Sequence, residues 1–418
     1  MGRAGGERHV GATVSGRPLQ LCKWRGIAVL VKPVKVLHII TRLIVGGAQE
    51  NTMLTAGMLD RTHFDVDVLS GPQTGSEGSL IEEVRAWGIP LTIEPTLVRK
   101  INPFKDLPAI AALVRCIRRG GYTIVHTHSS KAGILGRWAA RLAGVPIIVH
   151  TVHGWGFHDR QHPVVRRCFI WLERITASIT DRLIAVSPRN IEKGLAVGIG
   201  RPEQYVTIRS GIELERFMQP GVSSRAVRGE LGILDDVPVV GTVTRFSPQK
   251  APLDCVRAMA IVVQEIPEAR LVMVGDGPLR EEVERLVREL GLGERVMLTG
   301  LRRDVPQLLT AFDVFILPSL WEGLPRVLPQ AMAAGLPIVA TDADGNAEAV
   351  AEGVNGYLVP RGDVAALAER VVRLLRDPAL CSRMGQAGRE RVMEFGVHKM
   401  VEDIAALYEA LLEGHARR

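Results

Sequence analysis

The sequence predicts an α/β protein built from two doubly wound parallel sheets, and three observations predict it. Short apolar runs alternate with helical stretches along most of the chain, as expected of repeated βα units. The alternation breaks once, over residues 211–236, and then restarts. The chain has 418 residues, enough for two domains of ordinary size. A composition of 46% hydrophobic and 23% charged residues is typical of a globular protein.

The first predicted unit covers residues 34–210. The preceding residues, 1–33, lack a hydrophobic period and are rich in Gly and Arg, so they are predicted to be a basic disordered tail. Helices are predicted between the strands, for example over residues 107–119. The predicted strands are Val36–Ile40, Val66–Leu69, Thr123–His126, Ile147–Val149 and Leu183–Val186.

The second predicted unit covers residues 237–395 and follows a linker over residues 211–236. Residues 396–418 form a predicted helix with an apolar stripe, and this helix could cross back to the first unit. The predicted strands of the second unit are Val239–Val243, Leu271–Val274, Val296–Leu298, Val314–Leu317, Ile338–Thr341 and Leu358–Val359.

The formal net charge of +7 is unevenly distributed. Residues 36–210 carry 21 basic and 14 acidic side chains, whereas residues 211–418 carry 24 and 30. This asymmetry suggests that the first half faces an anionic surface. No apolar run approaches the ~18 residues of a membrane span. The five cysteines form no CxxC pair, so we expect a reducing, cytoplasmic location without structural zinc or disulfides.

Two glycines follow the first predicted strand. Gly46 and Gly47 would let the backbone approach a ligand beside the positive end of a helix. The turn is not GxGxxG, so a dinucleotide site is poorly supported. Read alone, two glycines are more typical of an ordinary turn.

A basic pair follows the first strand of the second unit. Arg245 and Lys250 lie where Val239–Val243 ends. Two cations at this position suit a diphosphate, because a guanidinium group can bind two oxygens at once. The alternative is a solvated loop with ordinary surface charge.

Residues 318–341 are the most informative stretch. A buried strand leads Glu322 into a Gly/Pro turn, and a helix is predicted to begin near Arg326. Glu322 and Gln330 are eight residues apart, which equals two helical turns, so both are expected to face the cleft. A carboxylate there can bind sugar hydroxyls, and an amide can bind a ribose hydroxyl.

Several motifs now stand in the order found in a known family. They are the Gly46–Gly47 turn, the Arg245–Lys250 pair, Val274-Gly275-Asp276-Gly277-Pro278, Leu298-Thr299-Gly300, the Glu322–Gln330 stretch and Asn355-Gly356-Tyr357-Leu358-Val359. On these motifs the sequence resembles the retaining GT-B glycosyltransferases of family 4, the glycosyl transferases group 1, over about residues 34–412. The resemblance implies two Rossmann-like domains facing each other across a cleft, the first for the acceptor and the second for the donor.

The resemblance also implies a reaction. A sugar would pass from a nucleotide diphosphate sugar to a glycan or lipid-linked acceptor, with retention and without a metal or other cofactor, in cell-surface polysaccharide or glycolipid synthesis. Arg245 and Lys250 would stabilise the leaving diphosphate, and Glu322 would position the donor sugar. Gln330 stands where the family has a second Glu, which costs a charge-assisted bond to the ribose. Further donor contacts are expected around Gly46, Gly47, Gly323 and Leu324.

The first unit is rich in histidine. By the same resemblance, His153 occupies the position of the active-site histidine, where it can bond the donor sugar or the acceptor. His126-x-His128 has no acidic or Cys partner at ligand spacing, so no metal is expected there. Asp65-x-Asp67 resembles a metal-sugar pair but is interpreted as alternation within a strand.

The stretch Pro163–Thr180 is a predicted helix with two interpretations. The simpler one is a core helix whose apolar stripe begins at Val165 and whose arginines are solvated. The other is peripheral docking on an anionic membrane at the inner face of the cell, which the basic first half favours.

Two other functions stay open. A nucleotide-sugar epimerase would share the architecture, and a non-catalytic sugar-nucleotide-binding or membrane-binding partner is suggested by Gln330. Nucleic-acid binding is not expected, because the basic half has no basic–aromatic stacking pattern.

Overall fold

The computed structural model describes residues 32–73, 78–100, 102–159 and 161–417, together with four short strands nearer the N-terminus. Those strands pair antiparallel within the predicted tail, whose other residues up to 31 lie outside the described part of the chain. They are β1 (Thr13–Val14), β2 (Arg17–Pro18), β3 (Leu21–Trp24) and β4 (Ile27–Leu30).

The first domain is a parallel sheet of seven strands. These are β5 (Val34–Ile40), β6 (Phe64–Ser70), β7 (Leu91–Ile93), β8 (Ile124–His128), β9 (Ile147–Val152), β10 (Arg182–Ala185) and β11 (Tyr205–Thr207). The strand order is β11-β10-β9-β8-β5-β6-β7. The helices are α1 (Gly47–Met58), α2 (Ile81–Ala86), α3 (Pro103–Gly120), α4 (Ser130–Ala143), α5 (Pro163–Ala177) and α6 (Pro188–Ala196).

The sequence predicts the five inner strands of this sheet and misses its two edge strands. Strands β7 and β11 have three residues each and are only partly buried. A strand this short and this exposed carries no apolar run for a sequence pattern to detect.

The second domain is a six-stranded parallel sheet, and all six of its strands are predicted. They are β12 (Val239–Val243), β13 (Arg270–Val274), β14 (Val296–Gly300), β15 (Val314–Leu317), β16 (Ile338–Thr341) and β17 (Gly356–Val359). The order β14-β13-β12-β15-β16-β17 reverses at β12 and β15, where doubly wound sheets bind ligands. The helices are α7 (Leu214–Met218), α8 (Ser224–Glu230), α9 (Pro252–Glu265), α10 (Arg280–Glu289), α11 (Val305–Leu309), α12 (Val327–Ala334), α13 (Asn346–Ala349), α14 (Val364–Leu375), α15 (Pro378–Arg391) and α16 (Val397–Ala416).

Residues 211–236, predicted as a linker, carry α7 and α8. The side chains of Phe217 and Val227 on these helices are buried in the core of the second domain. The chain crosses between the domains here and again at Gly396. The two crossings are hydrogen-bonded, because the Ile212 N–H donates to the Phe395 carbonyl at 2.9 Å and the Val397 N–H donates to the Ile212 carbonyl at 2.9 Å.

Helix α16 leaves the second domain and packs on the first. Its residues Met400, Ile404 and Tyr408 are buried in one core with Val36 and Ile40 of β5. The first domain therefore completes its core with a helix that follows the second domain in sequence. Among the described residues, no helix is both long and apolar enough to cross a membrane.

Candidate active site

Most of the predicted site residues lie in loops that follow strands of both sheets. Gly46 and Gly47 follow β5, and His153 follows β9. Arg245 and Lys250 follow β12, and Glu322 follows β15. Loops after the carboxyl ends of parallel strands form the ligand-binding edge of such sheets.

The two edges touch at Gly323. A Cβ atom on Gly323 would lie 1.8 Å from the carbonyl oxygen of His153, so only glycine allows this approach. A Cβ on Gly47 would lie 3.6 Å from Cδ of Arg326, which puts the first βα turn beside the start of α12. Residues of both domains therefore meet around His153, Gly323 and Arg326.

Glu322 forms an ion pair with Lys250. The carboxylate accepts from Nζ of Lys250, and their side chains are 5% and 21% exposed. The Glu322 N–H donates to Oδ2 of Asp344 at 3.2 Å, and the Leu320 N–H donates to the Gln249 carbonyl at 2.8 Å. These contacts tie the loop after β12 to the loop after β15. An incoming diphosphate would share Lys250 with a carboxylate that is already in place.

Arg245 lies on a loop supported by the Gly275-Asp276-Gly277 turn. A Cβ on Gly275, at φ 134°, would lie 1.9 Å from the Thr244 carbonyl oxygen. The Phe246 N–H donates to the Asp276 carbonyl at 2.9 Å. The glycines of this motif therefore serve close backbone packing beneath Arg245.

The remaining predicted residues occupy different surroundings. Gly46 caps α1 with extended backbone, φ 177°, so its conformation does not itself require glycine. Leu324 is buried in the core of the second domain, which leaves its backbone as the group available to a ligand. Gln330 is partly exposed on α12, whereas Glu322 lies in the loop before it. The predicted two-turn helical spacing of Glu322 and Gln330 is therefore wrong, because Gly323 and Pro325 delay the helix.

His153 is half-buried and bonded to a second histidine. Its Nε2 lies 3.1 Å from Nδ1 of His128, and Nε2 of His128 lies 2.9 Å from Nδ1 of His38. Burial, and then the positive charge of Arg326, lowers the pKa of His153 to about 3. Burial alone lowers the pKa of His38 to about 3. These imidazoles are neutral at neutral pH.

The strand register explains why these histidines meet. His38 of β5 is the register partner of His126 of β8, and His128 lies two residues further on the same face. One ring nitrogen from each of the three lies within 4.8 Å of the others, a spacing that could hold a metal ion. Sequence spacing could not identify His38 as the third member, since it lies on another strand.

Asp67, the second residue of the Asp65-x-Asp67 pair, accepts a hydrogen bond from the Tyr122 hydroxyl at 2.6 Å.

Arg326 is a site residue that the sequence analysis did not single out. It is buried at the start of α12, binds the Glu50 carboxylate of α1 and donates from Nε to the Gly211 carbonyl at 3.0 Å. It therefore joins α12, the first βα turn and the crossing between the domains. The position of Arg326 inside the 318–341 stretch was a signal of a site residue. Its contacts could not be predicted, because its partners lie far away in sequence.

Comparison with known proteins gives a family and a fold. The family described as "Glycosyl transferases group 1" matches residues 223–391, and "Glycosyl transferase 4-like domain" matches residues 46–211. A protein of Escherichia coli, "UDP-Gal:alpha-D-GlcNAc-diphosphoundecaprenol alpha-1,3-galactosyltransferase", is 34% identical over 382 residues. That match covers 90% of this chain and 96% of the relative.

Solved structures agree with this result. The structure of Anabaena Alr3699/HepE in complex with UDP-glucose has a TM-score of 0.77 at 25% identity, covering 90% of this chain and 99% of that one. Sucrose-phosphate synthase from Thermosynechococcus elongatus has a TM-score of 0.76 at 25% identity, covering 91% and 100%. The predicted GT-B architecture, two Rossmann-like domains facing across a cleft, is confirmed.

Proposed function

The chain belongs to the glycosyl transferases group 1, and from this premise we propose that it transfers a hexose from a UDP-sugar to a sugar carried on a polyprenyl diphosphate. That it is a glycosyltransferase using a nucleotide sugar follows from its relatives. The choice of UDP is supported by the UDP-glucose complex of Anabaena Alr3699/HepE and by the donor named for the E. coli relative. The acceptor class is supported by the lipid-linked acceptor in that relative's name.

The contact of Lys250 with Glu322 beneath the His153–Gly323 approach is the observation that carries the proposal. It brings a cation and a carboxylate of the second domain beside the backbone of His153 in the first domain. Lys250 and Arg245 would balance the charge of the diphosphate as it leaves, which is the role of a metal ion in other transferases. Glu322, held by Lys250 and Asp344, would accept hydrogen bonds from donor sugar hydroxyls.

We infer a retaining, metal-independent course. The bond between the anomeric carbon and the phosphate oxygen breaks, while the acceptor hydroxyl attacks the same face of the sugar. The acceptor proton passes to the leaving phosphate oxygen, so no protein nucleophile is required. The α linkage named for the E. coli relative is what retention yields from an α-configured nucleotide sugar. Transfer that persists in excess EDTA is the expected result, and loss of transfer in EDTA would contradict this course.

A donor-binding panel tests the proposed function. UDP-, GDP- and ADP-sugars are added to the full chain, and a ligand at 100 times its Kd is expected to add ~2.7 kcal/mol of stability. We expect this response from UDP-sugars and not from the GDP or ADP series. Transfer is then measured with UDP-galactose and UDP-glucose on a polyprenyl diphosphate GlcNAc.

Two variants connect the panel to the site. Lys250→Met is expected to weaken donor binding at least ~10-fold, because a charge-assisted bond is worth 1.5 kcal/mol or more. Glu322→Gln is expected to retain binding better but to lose most of the transfer. Lys399→Met, which removes an exposed lysine paired with Asp403, is the matched control. A chain that no nucleotide sugar stabilises would overturn the proposal.

We also propose peripheral contact of the first domain with an anionic membrane. Helices α3 and α5 pack on either side of α4, and both begin at the cleft edge of the sheet. Large apolar side chains are exposed at these starts, with Phe104 90% and Val164 64% exposed. Exposed Lys105 and Arg167 lie beside them. Apolar and basic side chains together are the composition that binds an anionic bilayer, which would also carry a lipid-linked acceptor.

The epimerase and the non-catalytic partner gain no support from the E. coli relative, which is a galactosyltransferase by name. Gln330, the residue that suggested a non-catalytic partner, keeps an amide that can both donate and accept a hydrogen bond.

A further inference from the structure

A continuous series of hydrogen bonds runs from His153 into the core of the first domain. His153 bonds His128 and His128 bonds His38, as described above. Nε2 of His38 lies 3.4 Å from the Tyr408 hydroxyl, the longest step of the series. The hydroxyl lies 2.6 Å from Nδ1 of His126, whose Nε2 lies 2.7 Å from Oγ1 of Thr151. The series therefore joins three strands and helix α16.

Every ring nitrogen that faces the core is used in this series. His38, His126 and His128 are fully buried, and both nitrogens of each have a partner. Nε2 of His153 is hydrogen-bonded to His128, so Nδ1 is the ring nitrogen available to a ligand. A neutral imidazole carries one proton, and it therefore donates at one nitrogen and accepts at the other. Burial holds the pKa of His126 and His128 well below the ordinary value, so both rings are neutral.

In a series of neutral rings linked in this way, all the hydrogen bonds must point in the same direction. If His128 donates to His153, then Nε2 of His153 is bare and its proton lies on Nδ1. If His153 donates instead, Nδ1 is bare and can accept a proton or a hydroxyl hydrogen bond. The direction of one hydrogen bond fixes the tautomer of the next ring, and this continues as far as Tyr408. The tautomer at the cleft is thus coupled to hydrogen bonds in the core.

We propose that His128, His38 and Tyr408 are positioning residues for His153, holding its ring in one orientation and one tautomer towards the substrate. Tyr408 has a single hydroxyl proton and can donate it to only one of its two histidine neighbours. It therefore couples the His38 arm to the His126 arm. This inference rests on the proposed function only for the role of His153 in sugar transfer, because the hydrogen-bond series is a property of the free protein.

The series ends in the core and does not conduct protons to solvent. Thr151 and His126, at its far end, are both buried. The series therefore sets the tautomer of His153 and takes no part in moving the acceptor proton, which passes to the leaving phosphate oxygen.

Histidine-selective ¹⁵N labelling of the full chain tests the proposal. Long-range ¹H–¹⁵N spectra distinguish the two neutral tautomers, and the His153 signals are identified by their absence in His153→Gln. We expect a single neutral tautomer for His153 in the native protein. In Tyr408→Phe, which removes only the hydroxyl, we expect both tautomers. Tyr205→Phe is the matched control, because it removes a hydroxyl bonded to the Ile199 carbonyl at 2.8 Å in the same sheet.

Steady-state kinetics give the second readout. His153 is expected to hydrogen-bond the donor sugar or the acceptor, and a loss of about 1.4 kcal/mol from that bond in Tyr408→Phe would lower kcat ~10-fold. The KM values for donor and acceptor should change less than ~2-fold, since no binding contact is removed. His38→Gln, whose amide both donates and accepts, is expected to lose less kcat than His38→Leu.

Three results would overturn the proposal. The first is a mixed His153 tautomer in the native protein, and the second is a single tautomer that Tyr408→Phe leaves unchanged. The third is stoichiometric metal that is lost in His38→Leu, because ring nitrogens that bind metal cannot bond one another. If the native chain transfers no sugar, the proposed function fails while the tautomer spectra still decide this inference.

Discussion

Burial keeps five histidines of the first domain uncharged, with a consequence for acid stability. The pKa of each is lowered, to about 3 for two of them, and burial is the largest cause in every case. In the unfolded chain the same groups take up protons near pH 6.5. Below that pH the unfolded state binds more protons than the folded state, so folding stability falls as the pH falls. The five are His38, His126, His128, His150 and His153.

Stability is therefore predicted to decrease steeply from pH 7.5 to pH 5.5. Each group contributes up to ~1.4 kcal/mol per pH unit once the pH is below its unfolded value. Urea unfolding at several pH values measures the slope. His38→Gln is expected to make the slope shallower, whereas His398→Gln, which removes an exposed imidazole, serves as control. A free energy of unfolding that is constant over this range would contradict the prediction.

Single residues also show where sequence reasoning stops. The sequence identified Glu322, Gly323, Lys250 and His153 as a set, and the structure brings all four to one cleft. It could not predict that Lys250 pairs with Glu322, because that contact spans 72 residues. Nor could it explain why residue 323 must be glycine. The reason is that the His153 carbonyl, in the other domain, leaves no room for a Cβ atom on Gly323.

At the scale of elements, α5 shows how a buried charge misleads a hydrophobic pattern. The predicted apolar stripe began at Val165, yet Val165 is exposed, and the buried face carries Ile170 and Glu173. Glu173 forms an ion pair with Arg137 of α4 at 2.6 Å, and both side chains are at most 4% exposed. A pattern that counts Glu as solvent-facing misplaces the buried face of the helix, so the predicted stripe is wrong at Val165, whereas its member Thr176 is buried.

The exposed starts of α3 and α5 give a prediction about membranes. Phe104→Ser combined with Val164→Ser is expected to weaken binding to phosphatidylglycerol vesicles, because apolar side chains no longer enter the bilayer. Arg167→Gln should cost about 1 kcal/mol, a roughly fivefold change in partitioning. Vesicle sedimentation measures both effects.

Leu234→Ser is the control for the double variant, because Leu234 is equally exposed but lies in the second domain. If the native chain does not sediment with anionic vesicles, or if Leu234→Ser weakens binding as much as the double variant, this surface is not the contact.

At the scale of the whole molecule, the sequence predicted two domains and a final helix that could cross back to the first, but it missed that residues 211–236 complete the second core. Strand patterns gave both sheets, because buried parallel strands are continuous apolar runs. Residues 211–236 looked like a linker because α7 and α8 are short and the residues between them include Pro220, Gly221 and Ser223, yet both helices contribute to the second core. The apolar stripe of α16 would fit either domain, so the stripe alone did not decide which domain the helix packs on.

Deletion of α16 is predicted to unfold the first domain rather than the second. A chain that stops at Gly396 loses the buried side chains of Met400, Ile404 and Tyr408 and opens the core that they share with β5, β8 and β9. Burial of three such side chains stabilises by roughly 5 kcal/mol, comparable with the whole stability of a domain. Hydrogen exchange should show lost protection in β5, β8 and β9 with β12–β16 retained.

A chain that stops at Leu412 is the control for this deletion, because it removes only exposed residues of the helix. Equal protection in β5 in the native and deleted chains would contradict the prediction.

The placement of α16 also orders events during synthesis. A ribosome builds the first sheet, then the whole second sheet, and only afterwards the helix that completes the core of the first domain. Until then the first domain has an apolar face open to water, while the second domain already has every strand it needs. The half of the enzyme translated first is thus the half that finishes folding later, and a chaperone that shields nascent apolar surface would meet it there.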